Sequence, residues 1–155
     1  MYVPLKPSLL DNLIDDTPEI TTEQPITYSL QALKDSVRRD IEWLLNSRRS
    51  WLTWSKYLEE LDISVMNYGL PDFSAMPFSS SDGRNYLCRI VEETITRFEP
   101  RFDAVFVTVL EDGAPEDRVL RLRIQAIFRV GTEQEELIFD SEVEPVSLGI
   151  KVEES

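Results

Sequence analysis

The chain has 155 residues, of which 42% are apolar and 29% charged, so we expect one globular domain with a single core. Acidic residues outnumber basic ones by 29 to 16, and the net charge of −13 argues against nucleic-acid binding and against adhesion to anionic lipid. The chain has no histidine, one cysteine and none of the glycine-rich or GxSxG fingerprints of nucleotide sites and hydrolases, so we expect neither a metal nor a cofactor.

Residues 1–28 contain four prolines and little sustained periodicity, which predicts an extended arm ahead of a single domain at 29–155. One short amphipathic piece is expected within the arm, formed by Leu9, Leu10, Leu13 and Ile14. The arm either rests on its own domain or docks on a neighbouring subunit. Its opening residues lack the pattern of a signal peptide. The single cysteine, Cys88, cannot form an internal disulfide, so we expect a reducing, cytosolic location.

The first long helix is predicted from about Ser29 to Ser47. Its apolar residues recur at the spacing of one helical face, at positions 30, 33, 37, 41 and 44. A less regular aromatic stretch follows, with Trp51, Trp54, Tyr57, Leu58 and Leu61. We expect these side chains to be core and staple residues, with partner anchoring by the two tryptophans as the alternative.

A single helical turn at 64–68 is predicted to stop at Gly69 and Pro71, before a loop at 70–83. A second long helix is expected to begin at Ser81 or Asp82, where either side chain can cap it. It ends before Pro100, because a proline disfavours the helical conformation of the residue that precedes it.

The apolar period then changes to two. Residues 103–111 predict a largely buried strand, and 118–130 alternate cleanly between apolar residues and a face that holds Arg121, Arg123 and Arg129. A third strand alternates through Leu137, Phe139, Ser141 and Val143. The expected fold class is therefore α+β, with N-terminal helices packed on one face of a small antiparallel β-meander.

Two charged features of this region need partners. Three arginines on one strand face would repel one another unless acids lie opposite, and Glu136, Asp140 and Glu142 are the candidates. A solvated charge ladder is one reading, and a docking face for an acidic partner is the other. Similarly, the segment VSLGIKV near the C-terminus either continues this sheet or joins a neighbour's sheet.

Glu99 is the most informative acid, because a carboxylate at a helix C-terminus opposes the helix macrodipole and needs a specific partner. Arg97 and Arg101 are within sequence reach. The alternatives are a bracing ion pair, a docking surface and a catalytic acid. Catalysis is disfavoured, because a glycosidase needs a second carboxylate across a cleft, and nothing in the pattern places Asp72, Asp82 or Glu111 opposite Glu99. A neighbouring arginine also favours the ionised carboxylate, whereas a general acid must hold a proton.

Four stretches, in the same order along most of the chain, resemble one family: KPSLLDNLIDD, SVRRDIEWLLNSRR, SVMNYGLPDFS and ITRFEPRF. The family is that of TssE, the baseplate component of type VI secretion systems, which is related to the wedge protein of contractile phage tails and was once labelled lysozyme-like. Its Glu-Pro-Arg signature falls here on Glu99, Pro100 and Arg101.

The resemblance implies a structural subunit with no enzyme activity. It implies that Glu99, Pro100 and Arg101, with Arg97 beside them, hold the domain in the baseplate wedge. It also implies that the C-terminal β region, with Ile138, Phe139 and Val143, initiates the contractile sheath by strand exchange. The partners would be the other wedge proteins and the two sheath proteins, in a six-fold assembly in the cytoplasm at the inner-membrane-docked baseplate. Nucleic acid and membrane insertion are not expected.

Two other functions compete with this one. A peptidoglycan-degrading, lysozyme-like enzyme would need export and a pair of carboxylates in a cleft. A generic acidic interaction domain would share the charge and fold but would belong to no secretion machine.

Overall fold

The computed structural model describes residues 8–14, 18–19, 29–110, 119–130, 133–144 and 149–154. Within these ranges, three α-helices and four β-strands follow one another. The helices are α1 (Leu9–Leu13), α2 (Leu30–Asn46) and α3 (Ser81–Phe98), and two short 3₁₀ turns at Glu59–Ile63 and Val65–Asn67 separate the last two. The strands are β1 (Phe102–Leu110), β2 (Leu120–Val130), β3 (Glu133–Val143) and β4 (Ile150–Glu154).

The two long helices begin at serine caps. The Ser29 hydroxyl accepts a hydrogen bond from the backbone N–H of Ala32 at 3.0 Å, and the Ser80 hydroxyl accepts one from Gly83 at 3.1 Å. Each cap satisfies one of the backbone donors that a helix N-terminus leaves unpaired. The predicted range of α2 is confirmed, whereas the predicted cap of α3 at Ser81 or Asp82 is wrong by one residue or two.

The four strands form one antiparallel sheet in the order β1-β2-β3-β4. Alternate residues of every strand point to one face, where they meet the apolar faces of α2 and α3. Among the described residues of this core, the largest that are fully buried are Phe73, Phe139, Ile41, Leu45, Leu70, Leu87, Ile95, Leu122, Ile124 and Leu137. The predicted α+β arrangement, with helices covering one face of the sheet, is confirmed.

The first strand differs from its prediction. Only Val105 and Val107 are buried, whereas Phe106 between them is 52% exposed. Among the described strands β1 pairs only with β2, so it lies at an edge of the sheet. One of its faces is exposed to solvent because the helices cover only the other face. The expectation that this stretch would be largely buried is therefore wrong, since an apolar run does not reveal how many faces of a strand are covered.

The predicted charge ladder is present on the outer face of the sheet. Arg123 forms two hydrogen bonds to Asp140, at 2.8 and 3.0 Å, and Arg121 donates to Glu142 at 3.1 Å. In each pair, the arginine of β2 lies directly opposite its acid of β3 in the strand register. Glu136 lies opposite Ile127 rather than opposite an arginine. The positive charges of Arg121 and Arg123 are therefore neutralised by acids of the same chain.

Side chains from the helices occupy both edges of the sheet. Asn46 of α2 donates to the carbonyl oxygen of Ile150 at 2.7 Å and accepts from its N–H at 2.9 Å, which binds both backbone groups of that β4 residue. At the opposite edge, Glu92 of α3 accepts from the N–H of Val107 at 3.2 Å. Such contacts protect edge groups that would otherwise be open to another strand.

The C-terminal segment continues the chain's own sheet. β4 pairs with β3 from Val143 opposite Ile150 to Phe139 opposite Glu154, and Ile150 and Val152 are buried in the core. VSLGIKV is expected from its sequence either to continue this sheet or to join a neighbour's sheet. Its last three residues, 150–152, continue this sheet. Residues 145–148 lie outside the described residues.

The aromatic stretch between α2 and α3 is not core, which corrects the sequence prediction. Trp51 is 89% exposed and Tyr57 95% exposed, and Leu58 is exposed as well. Trp54 and Leu61 are half-buried. The irregular spacing of these residues gave no single face that could have packed on the sheet.

The base of this loop is closed tightly. The N–H of Leu70 donates to the carbonyl oxygen of Ser47 at 2.9 Å, and the N–H of Arg49 donates to the carbonyl oxygen of Leu70 at 3.0 Å. Gly69 has φ +100°, and a Cβ at this position would lie 2.4 Å from the Ser47 oxygen. Glycine is therefore required where the chain returns to α2.

Among the described helices, none has both the length and the apolar character needed to cross a membrane.

Candidate functional site

Glu99 and Arg101 form a bidentate ion pair at the corner between α3 and β1. The guanidinium donates from Nε to Glu99 Oε1 at 2.6 Å and from Nη2 to Oε2 at 2.5 Å. The carboxylate is buried, with 9% of its side chain exposed, although it sits at the C-terminal cap of α3. The arginine offsets the unfavourable position of an acid at the negative end of the helix. Of the two arginines within sequence reach of Glu99, the partner is Arg101.

A second carboxylate shares the same guanidinium. Nη2 of Arg101 also donates to Oδ2 of Asp40 at 2.8 Å. Asp40 lies in the middle of α2 and in turn accepts from Arg39 at 3.0 Å. The corner after α3 is thereby joined to α2 by charge as well as by apolar packing.

The chain of charges extends to the N-terminal segment. Arg39 donates to Asp11 of α1 at 2.7 Å, and the other carboxylate oxygen of Asp11 accepts from the Ser36 hydroxyl and from the N–H of Ser8. Burial would raise the pKa of Asp11, but the hydrogen bonds from Ser36, Arg39 and Ser8 outweigh it and hold the pKa well below its ordinary value. We call Glu99, Arg101, Asp40, Arg39 and Asp11 the ion-pair chain.

The contacts of Asp11 with Arg39 and Ser36 bear on whether the arm rests on its own domain or docks on a neighbouring subunit. For the described part of the arm they favour the first alternative. Ser8 and Asp11 form a capping box at the start of α1, which orders the short amphipathic piece that the leucines predicted. Through Asp11, α1 rests on its own domain. The rest of the arm's expected course, at 1–7, 15–17 and 20–28, lies outside the described residues.

Both arginines of the ion-pair chain are firmly charged. Burial lowers the pKa of Arg101, but the hydrogen bonds and charges of Glu99 and Asp40 reverse this effect and raise it. Arg39 behaves in the same way beside Asp11 and Asp40. Nη1 of Arg101 is buried without a hydrogen-bond partner among the described residues. The two N–H groups of this nitrogen therefore lack an acceptor among the described residues, and a buried donor without an acceptor costs stability.

An apolar groove of about 740 Å³ opens beside the Glu99–Arg101–Asp40 end of the chain. Its walls come from α1, α2, the turn at Tyr68 and the corner that follows α3. Tyr68 packs edge-on against Phe98 at 5.3 Å, and burial, together with the charges of Asp40 and Glu99, raises the pKa of its hydroxyl. Further apolar lining comes from Leu10, Leu13, Ile41, Trp43, Leu44 and Pro100. We call this cavity the corner groove.

The structure brings together only part of the predicted partner-binding set. Glu99, Pro100 and Arg101 border the corner groove, and Pro100 is exposed at its rim. Arg97 is exposed on another face of α3, beside Arg49 and Arg89. The remaining three predicted residues lie in β3, away from the groove. Phe139 and Val143 are fully buried in the core, and Ile138 is half-buried on the opposite face.

Sequence reasoning missed the residues that connect the motifs. Asp40 follows two arginines on α2 and precedes the buried Ile41. Its place beside the apolar face of the helix was a signal that its carboxylate would be partly buried. Asp11 and Tyr68 gave no comparable signal from spacing. All four stretches that carried the family resemblance nevertheless meet here, since Asp11, Asp40, Tyr68 and Glu99 come from one stretch each.

The two carboxylates beside the corner groove are both engaged by one cation. Glu99 and Asp40 share the guanidinium of Arg101, so each carboxylate already has a hydrogen-bonded cationic partner. Asp82 lies at the far end of α3, and Asp72 is exposed in the loop before that helix. Glu111 lies outside the described residues. Within the described ranges, no group of three His, Cys, Asp or Glu side chains is placed to hold a metal ion.

Comparison with known protein families gives a match over most of the described helices and strands. A family model described as baseplate wedge protein gp25 matches residues 31–133, which cover α2, α3, the corner with Glu99 and Arg101, and the first two strands. No curated protein and no solved structure matches the chain.

Proposed function

The chain belongs to the baseplate wedge protein gp25 family and has a structural role in a baseplate, and from this premise we propose that it serves in a type VI secretion system. In this proposal it is the TssE subunit of a six-fold baseplate docked at the inner membrane, on the cytoplasmic side. It joins the wedge and initiates the sheath, and it carries out no catalysis. The single observation behind the proposal is the family match over residues 31–133.

The corner groove is the proposed wedge-docking surface. It is apolar along most of its walls and ends at fixed charges, which is the composition of a protein interface whose polar groups set orientation. Arg101 and Glu99 hold each other at hydrogen-bond distance before any partner arrives, so little ordering free energy is lost on binding. Pro100 and Trp43 supply exposed rim contacts.

The C-terminal β region is the proposed sheath-initiating surface. Phe139 and Val143 are core residues, so a sheath strand would contact the sheet through backbone groups at the β4 edge rather than through these two side chains. The contacts of Asn46 with Ile150 protect that edge in the isolated chain. A sheath strand must therefore displace the Asn46 amide. Residues 134–154 lie beyond the matched range, so this part of the proposal rests on the resemblance and on the position of β4 at the edge of the sheet.

A capture experiment with purified wedge and sheath proteins of the same system tests both surfaces. Wild type is compared with Arg101→Glu and Trp43→Ser for the groove, and with a truncation after Glu144 and Lys151→Pro for β4. Phe106→Ser, an exposed apolar residue of β1, is the control. We expect the groove variants to lose the wedge proteins and keep the sheath proteins, and the β4 variants to do the reverse.

Circular dichroism and thermal unfolding identify variants that remain folded. Folded groove variants that capture the wedge proteins as wild type does would remove the docking role of Arg101. Folded Lys151→Pro protein that captures sheath normally would remove the role of β4. A turbidity assay on cell walls tests the absence of catalysis, for which we expect no clearing above buffer. Clearing would overturn the structural assignment.

A further inference from the structure

The loop between α2 and α3 carries an unusual share of exposed apolar surface. Of the thirteen exposed large apolar side chains among the described residues, seven fall within 51–66, although this segment adds no apolar side chain to the core. They are Trp51, Leu52, Tyr57, Leu58, Ile63, Val65 and Met66. Isolated exposed apolar residues are normal on a protein surface, but their concentration in one segment is typical of an interaction site. We call residues 51–66 the aromatic loop.

The aromatic loop is held in a defined shape by its own polar contacts. The indole N–H of Trp54 donates to Asp62 at 3.0 Å, and the Asn67 amide donates to the Asp62 carbonyl oxygen at 2.8 Å. Asn67 is buried, and the bridge between Arg48 and Leu70 ties the two ends of the loop together. A fixed loop presents its apolar side chains at a lower entropic cost than an unstructured segment would.

The charges of the loop specify the chemistry of its partner. The segment contains three acidic residues, Glu59, Glu60 and Asp62, and one basic residue, Lys56. Glu59 and Glu60 are exposed, and neither forms an ion pair with a described residue. A second copy would bring the same acids and a net charge of −13, and anionic lipid would be repelled. A partner that covers the apolar side chains and also carries positive charge would therefore complement Glu59 and Glu60.

We propose that the aromatic loop docks a basic amphipathic segment of another protein. The apolar face of that segment covers Trp51, Tyr57 and Val65, and its lysines or arginines pair with Glu59 and Glu60. The surface shares no residue with the corner groove or with the C-terminal strands, so it goes beyond both docking roles proposed above. The large exposed aromatic residues are the anchors that dominate such interfaces.

The test uses a fluorescein-labelled synthetic helix of leucine and lysine, titrated against full-length protein by fluorescence anisotropy. Two loop variants are compared with wild type: Trp51→Ser/Tyr57→Ser and Glu59→Lys/Glu60→Lys. Phe106→Ser/Tyr86→Ser removes two exposed aromatic residues elsewhere, and Asp35→Lys/Glu93→Lys makes the same charge change on the helices. We expect each loop variant to bind at least about tenfold more weakly and both controls to stay within about twofold of wild type.

Trp51 and Tyr57 are almost fully exposed, so the Trp51→Ser/Tyr57→Ser protein should unfold at the wild-type temperature. If its unfolding temperature is lower, Val65→Ser, at a 90% exposed position, provides the second test of peptide binding. Equal losses in the helix charge variant and the loop charge variant would overturn the proposal in favour of non-specific attraction. So would equal binding of a leucine–glutamate peptide, or no binding by wild type. Binding to anionic vesicles, or a dimer abolished by Trp51→Ser/Tyr57→Ser in sedimentation, would overturn it in favour of lipid or a second copy.

Discussion

Nη2 of Arg101 lies 2.8 Å from Oδ2 of Asp40, across 61 positions of sequence. Both side chains are more than four-fifths buried, so the bond is poorly screened by solvent. It connects the corner after α3 to the middle of α2, next to the corner groove. The contact therefore links the two helices beside the groove, and both of its residues line the groove wall.

Replacing Arg101 by methionine should leave the buried Glu99 without its counter-charge. We expect the free energy of unfolding to fall by about 3 kcal/mol, because a buried carboxylate then lacks both partner and solvent. Urea denaturation at neutral pH measures the change. The double variant Glu99→Gln/Arg101→Met should recover most of the loss, since it removes the unpaired charge.

Arg121→Met is the matched control for this substitution. Arg121 pairs with Glu142 on the outer face of the sheet, where both side chains are more than one-third exposed. We expect its loss to cost at most about 1 kcal/mol. Equal effects of the two arginine variants would contradict the view that burial makes the Arg101 contact strong.

Replacing Asp11 by asparagine should change how stability depends on pH. The pKa of Asp11 is depressed in the folded chain, so its contribution is complete above the unfolded pKa, near 3.8, and is lost as the pH falls toward the folded value. We expect the Asp11→Asn variant to be less stable than wild type by about 1–2 kcal/mol at pH 7. The difference should shrink steadily between about pH 5 and pH 2.

Thermal unfolding across this pH range gives the comparison. Asp35→Asn, at an exposed acid on α2, serves as the control and should follow wild type at every pH. A difference between Asp11→Asn and wild type that does not change with pH would show that Asp11 acts through packing rather than through its charge.

Asn46→Ala should loosen β4 selectively. The substitution removes both hydrogen bonds to Ile150, so we expect hydrogen exchange at residues 150–154 to accelerate by about tenfold while exchange in β1 stays unchanged. Mass spectrometry of the exchanging peptides measures this. Asn85→Ala, at an exposed position on α3, is the control. Uniform acceleration across the sheet would indicate global destabilisation instead of local release of the edge.

Gly69→Ala should destabilise the base of the aromatic loop. The added methyl group would lie 2.4 Å from the Ser47 oxygen and would also force a side chain into a left-handed conformation at φ +100°. We expect a loss of about 2 kcal/mol in the free energy of unfolding. Thr53→Ala in the exposed part of the loop should change it by less than about 0.5 kcal/mol. A neutral Gly69→Ala variant would mean that the backbone bonds of Ser47 and Leu70 can shift without cost.

Local patterns were sufficient for most of the fold. The spacing of Leu33, Val37, Ile41 and Leu44 predicted α2, and alternation through β2 and β3 predicted both the sheet and its charge ladder, because helix and strand periods are set by the backbone alone. The same local reading failed at Trp51 and Tyr57. Apolar character predicts burial only when a covering surface exists, and none of the described elements covers that loop.

The amino-acid sequence by itself determined the fold class, the family resemblance and the need of Glu99 for a cationic partner. Only the tertiary structure decided that this partner is Arg101 rather than Arg97, and that Asp40 shares it. The reason is physical: periodicity describes which face of an element is apolar, whereas a contact across 61 positions depends on how two helices pack over one sheet. The corner groove exists only because that packing brings four separate stretches of sequence to one place.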